Sequence, residues 1–235
     1  MTTLYDSLVG DLVSATEQGV DVEDYLKGRE AGIDHDEVCE VFGLDLVMEY
    51  YLRARALGAT HDEIVDFVGD GWNDFGSYVD ALEAGATHDE IVAVCNVSNG
   101  FAGTYASALR LGATHDEVFE AVQHDRTDAY VLARRAGATH QQIVTFVNGH
   151  WQVLSSYAMT RDAGTTHEEA IEVNALSPGS QALHEYTTAR LGGIRHCDLI
   201  EVLNEGYDIF VYVQERERGT SHADVLDWWA EEFSP

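Results

Sequence analysis

Basic residues are nearly missing from this sequence. Thirteen Lys and Arg stand against 42 Asp and Glu in 235 residues, a formal charge of −29, and Lys27 is the only lysine. A chain this acidic repels phosphate backbones and anionic bilayers, so neither nucleic acid nor a membrane surface is expected as a direct ligand. No run of 18 apolar residues is present, so no membrane span is expected. The opening Met1-Thr2-Thr3-Leu4-Tyr5-Asp6 lacks the basic start of a signal peptide. Cysteine is limited to Cys39, Cys95 and Cys197, which have neither metal-ligand spacing nor a disulfide framework. That pattern suits a reducing compartment, and a cytoplasmic location is the expectation. Proline is limited to Pro178, in the longest inter-repeat connection, and Pro235. Apolar residues make up 45% of the chain, enough for a continuous core.

What is present is a repeat. Gly-Ala-Thr-His-Asp-Glu occurs at Gly58–Glu63, Gly85–Glu90 and Gly112–Glu117, and shorter copies begin at Gly32, Gly137, Gly164, Gly193 and Gly219. Histidine returns at 35, 61, 88, 115, 140, 167, 196 and 222, with spacings of 25 to 29 residues. A tyrosine precedes every repeat glycine by seven residues: Tyr25, Tyr51, Tyr78, Tyr105, Tyr130, Tyr157, Tyr186 and Tyr212. Eight coincidences at one offset define eight tandem units of about 27 residues.

Each unit reads as two short helices. Met48, Tyr51, Ala54 and Leu57 fall three apart, on one helical face, as do Phe75, Tyr78, Ala81 and Ala84. A small residue three after the tyrosine (Ala54, Ala81, Ala108, Ala133, Ala189) lets neighbouring helices approach. The glycine ends this helix, because a left-handed C-terminal cap costs Gly little. Thr60, Thr87 and Thr114, each three before a Glu, start the second helix with a capping box. Helices this short are marginal alone, so stacking must stabilise them. The expected fold is therefore all-α: an α-solenoid of eight helix-turn-helix repeats over 21–235, preceded by an N-terminal capping helix within 1–20. At the far end Glu215 and Arg218 replace small core residues, giving a polar outer face. Trp228, Trp229 and Phe233 read as a closing cap, with self-association through them the weaker expectation.

A chain of two-helix repeats with Gly/Ala-rich turns resembles, in architecture, the α-solenoid class that includes tetratricopeptide and HEAT arrays. The tetratricopeptide signature itself is absent. The wording Ala54-Arg55-Ala56-Leu57-Gly58-Ala59-Thr60-His61 is also similar to tracts in uncharacterised proteins of high-GC bacteria and their phages. That likeness implies no particular activity.

Four His-Asp dipeptides, at 35, 61, 88 and 115, raise the chemistry of a metal-dependent hydrolase. Such chemistry needs ligands converging on one metal cluster. Here the pair is a repeat element, and stacked helices separate successive copies by roughly 10 Å. Metal, cofactor and catalytic residues are therefore not expected, and the chain reads as a non-enzyme. The repeat histidine is expected at the first helical position, packed on an adjacent repeat and hydrogen-bonding across the stack. The repeat tyrosine is expected in the core with its hydroxyl on a partner. Cys39 and Cys95 fall on apolar stripes as small hydrophobes. Cys197 lacks a catalytic partner nearby in sequence.

The tyrosine-to-histidine spacing is always ten, so all length variation falls between the second helix and the next tyrosine. In repeat arrays insertions map to one edge, often the binding edge. These segments carry Trp72, Asn73, Asn99, His124, Arg126, His150, Trp151, His184 and Tyr207, which are the candidate partner-binding residues. The aromatics among them lie outside the repeat stripes and are expected as exposed anchors. The function expected is a protein-interaction module for a partner with a basic surface. The alternative is an acidic mimic of nucleic acid that occupies a basic DNA- or RNA-binding protein.

Overall fold

The protein is described by a computed structural model covering residues 2–69, 71, 74–98 and 102–233. Among the described residues all regular structure is helical and no strand occurs. The chain divides into two compact units, Met1–Arg110 and Leu111–Pro235. The first holds α1 (Thr2–Glu17), α2 (Val22–Glu30), α3 (His35–Gly43), α4 (Met48–Ala56), α5 (His61–Gly69), α6 (Phe75–Glu83), α7 (His88–Ser98) and α8 (Ala102–Arg110). The second holds α9 (His115–Gln123), α10 (Thr127–Arg135), α11 (His140–Val147), α12 (Leu154–Asp162), α13 (His167–Leu176), α14 (Ser180–Leu191), α15 (His196–Asn204), α16 (Ile209–Glu217) and α17 (His222–Phe233). Even-numbered helices carry the repeat tyrosines. Each odd-numbered helix from α3 onward begins at a repeat histidine. These are called first and second helices below.

The turn between them follows from the glycine. Gly85 has φ +95°, which closes α6 with two reverse hydrogen bonds, Gly85 N–H to the Leu82 carbonyl (2.9 Å) and Ala86 N–H to the Ala81 carbonyl (3.0 Å). All eight repeat glycines have positive φ. The next helix starts within three residues. Thr114, Thr139 and Thr166 cap it reciprocally with Glu117, Gln142 and Glu169. The seventh repeat has Arg195 at this position; its side chain makes no cap bond and instead pairs with Asp198 at 2.6 Å.

Packing then follows from residue size. Within each unit the first helices lie against one another, α4 on α6 on α8, and α10 on α12 on α14 on α16. Ala54, Ala81, Ala108 and Ala133 are fully buried at these contacts. Gly28 takes the same position in α2, where a Cβ would stand 2.7 Å from a Val38 methyl. Thr160 takes it in α12. Its hydroxyl is buried and satisfied by Thr187 of α14 and the Ser156 carbonyl, both at 2.8 Å. The eight tyrosines are the largest fully buried side chains, and Phe67 and Phe146 of second helices pack against Tyr78 and Tyr157 of the following repeats. Helices of nine residues thus gain from neighbours the stability they lack alone.

Gly19, at φ +91°, follows α1. In α16 Glu215 pairs with Arg218 where other repeats have small residues. Trp229 is buried against Tyr207, with ring centroids 4.6 Å apart, and Trp228 is exposed.

Thr139→Ala should cost about 0.5–2 kcal/mol, the usual loss for an N-cap. Gly137 has φ +82° and open space around any added Cβ. Gly137→Val should therefore cost about 1–2 kcal/mol from backbone strain alone. Chemical denaturation of each variant measures both.

Candidate interaction surface

The repeat tyrosine and histidine meet. The tyrosine hydroxyl lies against the histidine Nδ1 in Tyr25–His35 (3.1 Å), Tyr51–His61 (3.0 Å), Tyr78–His88 (3.1 Å) and Tyr130–His140 (3.3 Å). The same contact joins Tyr157–His167 (3.0 Å), Tyr186–His196 (2.8 Å) and Tyr212–His222 (2.8 Å). The other ring nitrogen reaches back to the preceding repeat. His61, His196 and His222 place Nε2 3.1 Å from Glu40, Glu172 and Glu201, and His140 lies 3.5 Å from Glu120. At His140, His196 and His222 a neutral imidazole satisfies both contacts in one tautomer: Nε2–H donates to the carboxylate, and Nδ1 accepts from the hydroxyl; at His61 the Tyr51 hydroxyl also donates to Glu37, at 3.2 Å. The histidine is thus bonded across the stack. His167 differs: Thr145 holds the position that Glu120 and Glu172 hold in their helices. His167 is buried, and that burial lowers its pKa.

Two columns in this network were not singled out in the sequence, although both are periodic there. An arginine follows the tyrosine by four residues in six repeats: Arg29, Arg55, Arg134, Arg161, Arg190 and Arg216. Arg134 and Arg161 donate to the carbonyls of Leu111 and Ala136, at the preceding turn of the same unit. Arg55 and Arg190 lie 3.8 Å from Glu37 and Glu169 of the preceding second helices. The other column is the acid five residues after the histidine, represented by Glu40, Glu120, Glu172 and Glu201.

Charge is sorted by layer. Among the described residues no second helix contains a Lys or Arg; every described cation lies on a first helix or in a connection. Several of those cations are paired: Lys27 with Glu23, Arg53 with Glu83, Arg110 with Asp80, Arg195 with Asp198 and Arg218 with Glu215. The Arg195 pair lowers the pKa of the buried Asp198 carboxyl. Second helices instead carry acids at their second and sixth positions: Asp36 with Glu40, Asp62 with Asp66, Asp116 with Glu120, Glu168 with Glu172. Four apart, each pair shares one helix face. All eight side chains reach solvent, Glu120 partly.

Trp72, Asn73 and Asn99 lie outside the described residues. Trp151 is only 6% exposed, which corrects its reading as a free anchor. A single 3₁₀ turn, Trp151–Val153, precedes α12 and tucks the indole inward, where His124 stacks on it at 4.9 Å. Tyr207 is half-buried against Trp229. Arg126 is the N-cap residue of α10, with a guanidinium N–H donating to the Asp125 carbonyl at 2.7 Å. His124, His150 and His184 are exposed. Among the described residues no three His, Cys, Asp or Glu side chains converge to hold a metal ion, and no helix is long and apolar enough to cross a membrane. Compared with protein-family models, curated proteins and solved structures, the chain finds no match.

Burial raises the pKa of all eight repeat tyrosines, with Tyr51, Tyr130, Tyr157 and Tyr186 pushed up to about 12. A raised folded value stabilises fully below the unfolded value, near 10, and the contribution fades as pH climbs towards 12. Ultraviolet titration should show most tyrosines still protonated at about pH 11, ionising together with loss of helix. Trp151→Ala should destabilise by roughly 3–5 kcal/mol, as large buried aromatics do; a loss within error would return the indole to the surface.

Proposed function

We propose that this protein is a non-catalytic helical-repeat module that binds a basic protein partner through the outer faces of its second helices. The observation that carries the reading is the sorting of charge: second helices without Lys or Arg, each of four presenting two carboxylates on one face. Like charges four apart cost a helix roughly 0.2–0.5 kcal/mol per pair. The sixth-position Glu40, Glu120 and Glu172 are accounted for by their contacts with the next repeat's histidine; the repulsion that the second-position acids Asp36, Asp62, Asp116 and Glu168 add to them is what a cationic partner relieves. The partner gains steering and register from such a surface more than raw affinity. A cytoplasmic setting belongs to the same proposal, in keeping with the free thiols of Cys39, Cys95 and Cys197. The likeness to repeat tracts of high-GC bacterial and phage proteins adds no activity to it.

The alternative, a mimic of nucleic acid, uses the same carboxylates and differs in what it excludes. The test starts from a partner captured from native cells and purified. Binding should weaken as ionic strength rises through the physiological range, where exposed charges are screened beyond about 8–10 Å. Asp36→Asn, Asp62→Asn, Asp116→Asn and Glu168→Gln combined should flatten that salt dependence. Displacement by DNA or RNA assigns mimicry; a ternary complex excludes it. A partner whose binding ignores both salt and the fourfold variant overturns the proposal.

A further inference from the structure

The connection edge contains a cleft that occurs in the same register in both units. In the first unit it measures about 480 Å³ and is lined by Val47, Val68 and Phe75, the Tyr50 ring, and the carboxylates of Asp45 and Asp74. In the second it measures about 250 Å³ and is lined by Leu203, Ile209, Tyr207, and the carboxylates of Glu185 and Asp208. The registers coincide. Val68 and Leu203 each follow a repeat histidine by seven; Asp74 and Asp208 each precede a repeat tyrosine by four; Phe75 and Ile209 precede it by three; Tyr50 and Glu185 by one. Each cleft combines an apolar wall, a tyrosine and two acidic residues, the tyrosines Tyr50 and Tyr207 standing at different register positions, and no Lys or Arg lines either.

We infer that these two clefts are sockets for the lysine or arginine side chains of the partner, the methylene stem against the aliphatic wall and the charged head against the ring and the carboxylates. The inference rests on the reading of the partner as basic. Three physical features favour a cation there. A tyrosine face attracts cations, and the Tyr50 ring already lies 5.6 Å from the Arg53 guanidinium. Helices α3, α5, α13 and α15 end beside the clefts, and none has a basic residue in its last turn. Their carbonyl ends therefore keep their partial negative charge uncompensated from within the helix. Long cationic side chains, finally, bury their stems while keeping the head among polar groups. The four carboxylates are not equivalent. Asp74 and Asp208 also cap α6 and α16, accepting from the Ser77 and Val211 N–H groups. Asp45 is exposed, and Glu185 accepts one bond from Gln181 at 2.8 Å. Asp45 and Glu185 are thus the residues to vary without removing a cap.

The test is an NMR titration of the whole isotope-labelled protein with N-acetyl-arginine amide, and in parallel with its neutral isostere N-acetyl-citrulline amide. Saturable shifts at Leu46, Val47, Tyr50 and Gly76, and at Leu203, Tyr207 and Ile209, are expected with the arginine probe alone. Asp45→Asn, which keeps a side chain suited to the left-handed backbone at φ +56°, should weaken the first cleft about fivefold, the size of one partly exposed ion pair. It should leave the second unchanged; Glu185→Gln should do the reverse. Equal shifts with citrulline would overturn the cationic assignment. Arginine-specific shifts confined to the outer faces of the second helices would overturn the sockets while leaving the basic-partner reading standing.

Discussion

The hydrogen bond from the tyrosine hydroxyl to the histidine imidazole ties the two helices of a repeat together, and the rest of the architecture is arranged around it. The tyrosine is fully buried on the first helix, and its hydroxyl needs a partner at the helix ends. The histidine opens the second helix at the distance the glycine turn allows. An inserted or deleted residue between them would rotate the ring away and strand a buried hydroxyl, at a cost of about 1–3 kcal/mol. That explains why ten residues separate them in every repeat, and why length varies only on the opposite side. Where the preceding helix supplies Glu40, Glu120, Glu172 or Glu201, the same ring also links neighbouring repeats.

With the junction held by hydrogen bonds and first helices packed through small residues, the second-position acids Asp36, Asp62, Asp116 and Glu168 remain exposed, while the sixth-position Glu40, Glu120 and Glu172 also contact the next repeat's histidine. Cations serve at the first layer, where Arg134 and Arg161 bond turn carbonyls and Arg53 and Arg110 join α4 to α6 and α6 to α8. The carboxylates that remain are concentrated on the other layer. A net charge of −29 is therefore a patterned surface in each unit rather than a diffuse property of the chain, which is why a basic partner is the reading preferred to simple solubility.

The fold was legible because repetition multiplies a weak signal by eight. Glycine, Thr-x-x-Glu and the tyrosine stripe each name a turn, a cap and a core position, and all appear where those residues place them. One interruption was legible too: Glu215 in place of alanine. The edge was harder to read. Trp151 lies in a connection by sequence, yet a local 3₁₀ turn buries it, and no pattern in a single segment announces that. The arginine four after the tyrosine and the acid five after the histidine were visible as columns, but a long polar side chain on a helix is ordinarily a solvated one. Only their distances to the preceding repeat show what they bond. The clefts are harder still, since each draws on residues from two connections and three helices.

The tautomer of the repeat histidines tests the account most directly. Long-range proton–nitrogen NMR near pH 8.5 separates a protonated Nε2 from a protonated Nδ1. His140, His196 and His222 should each hold their proton on Nε2, fixed between a carboxylate and a tyrosine. His150 and His184, exposed on the connection edge, should show the averaged signals of a ring free to exchange. Averaged signals at these three repeat histidines, or a proton held on Nδ1, would contradict the bonded junction on which the stack is built.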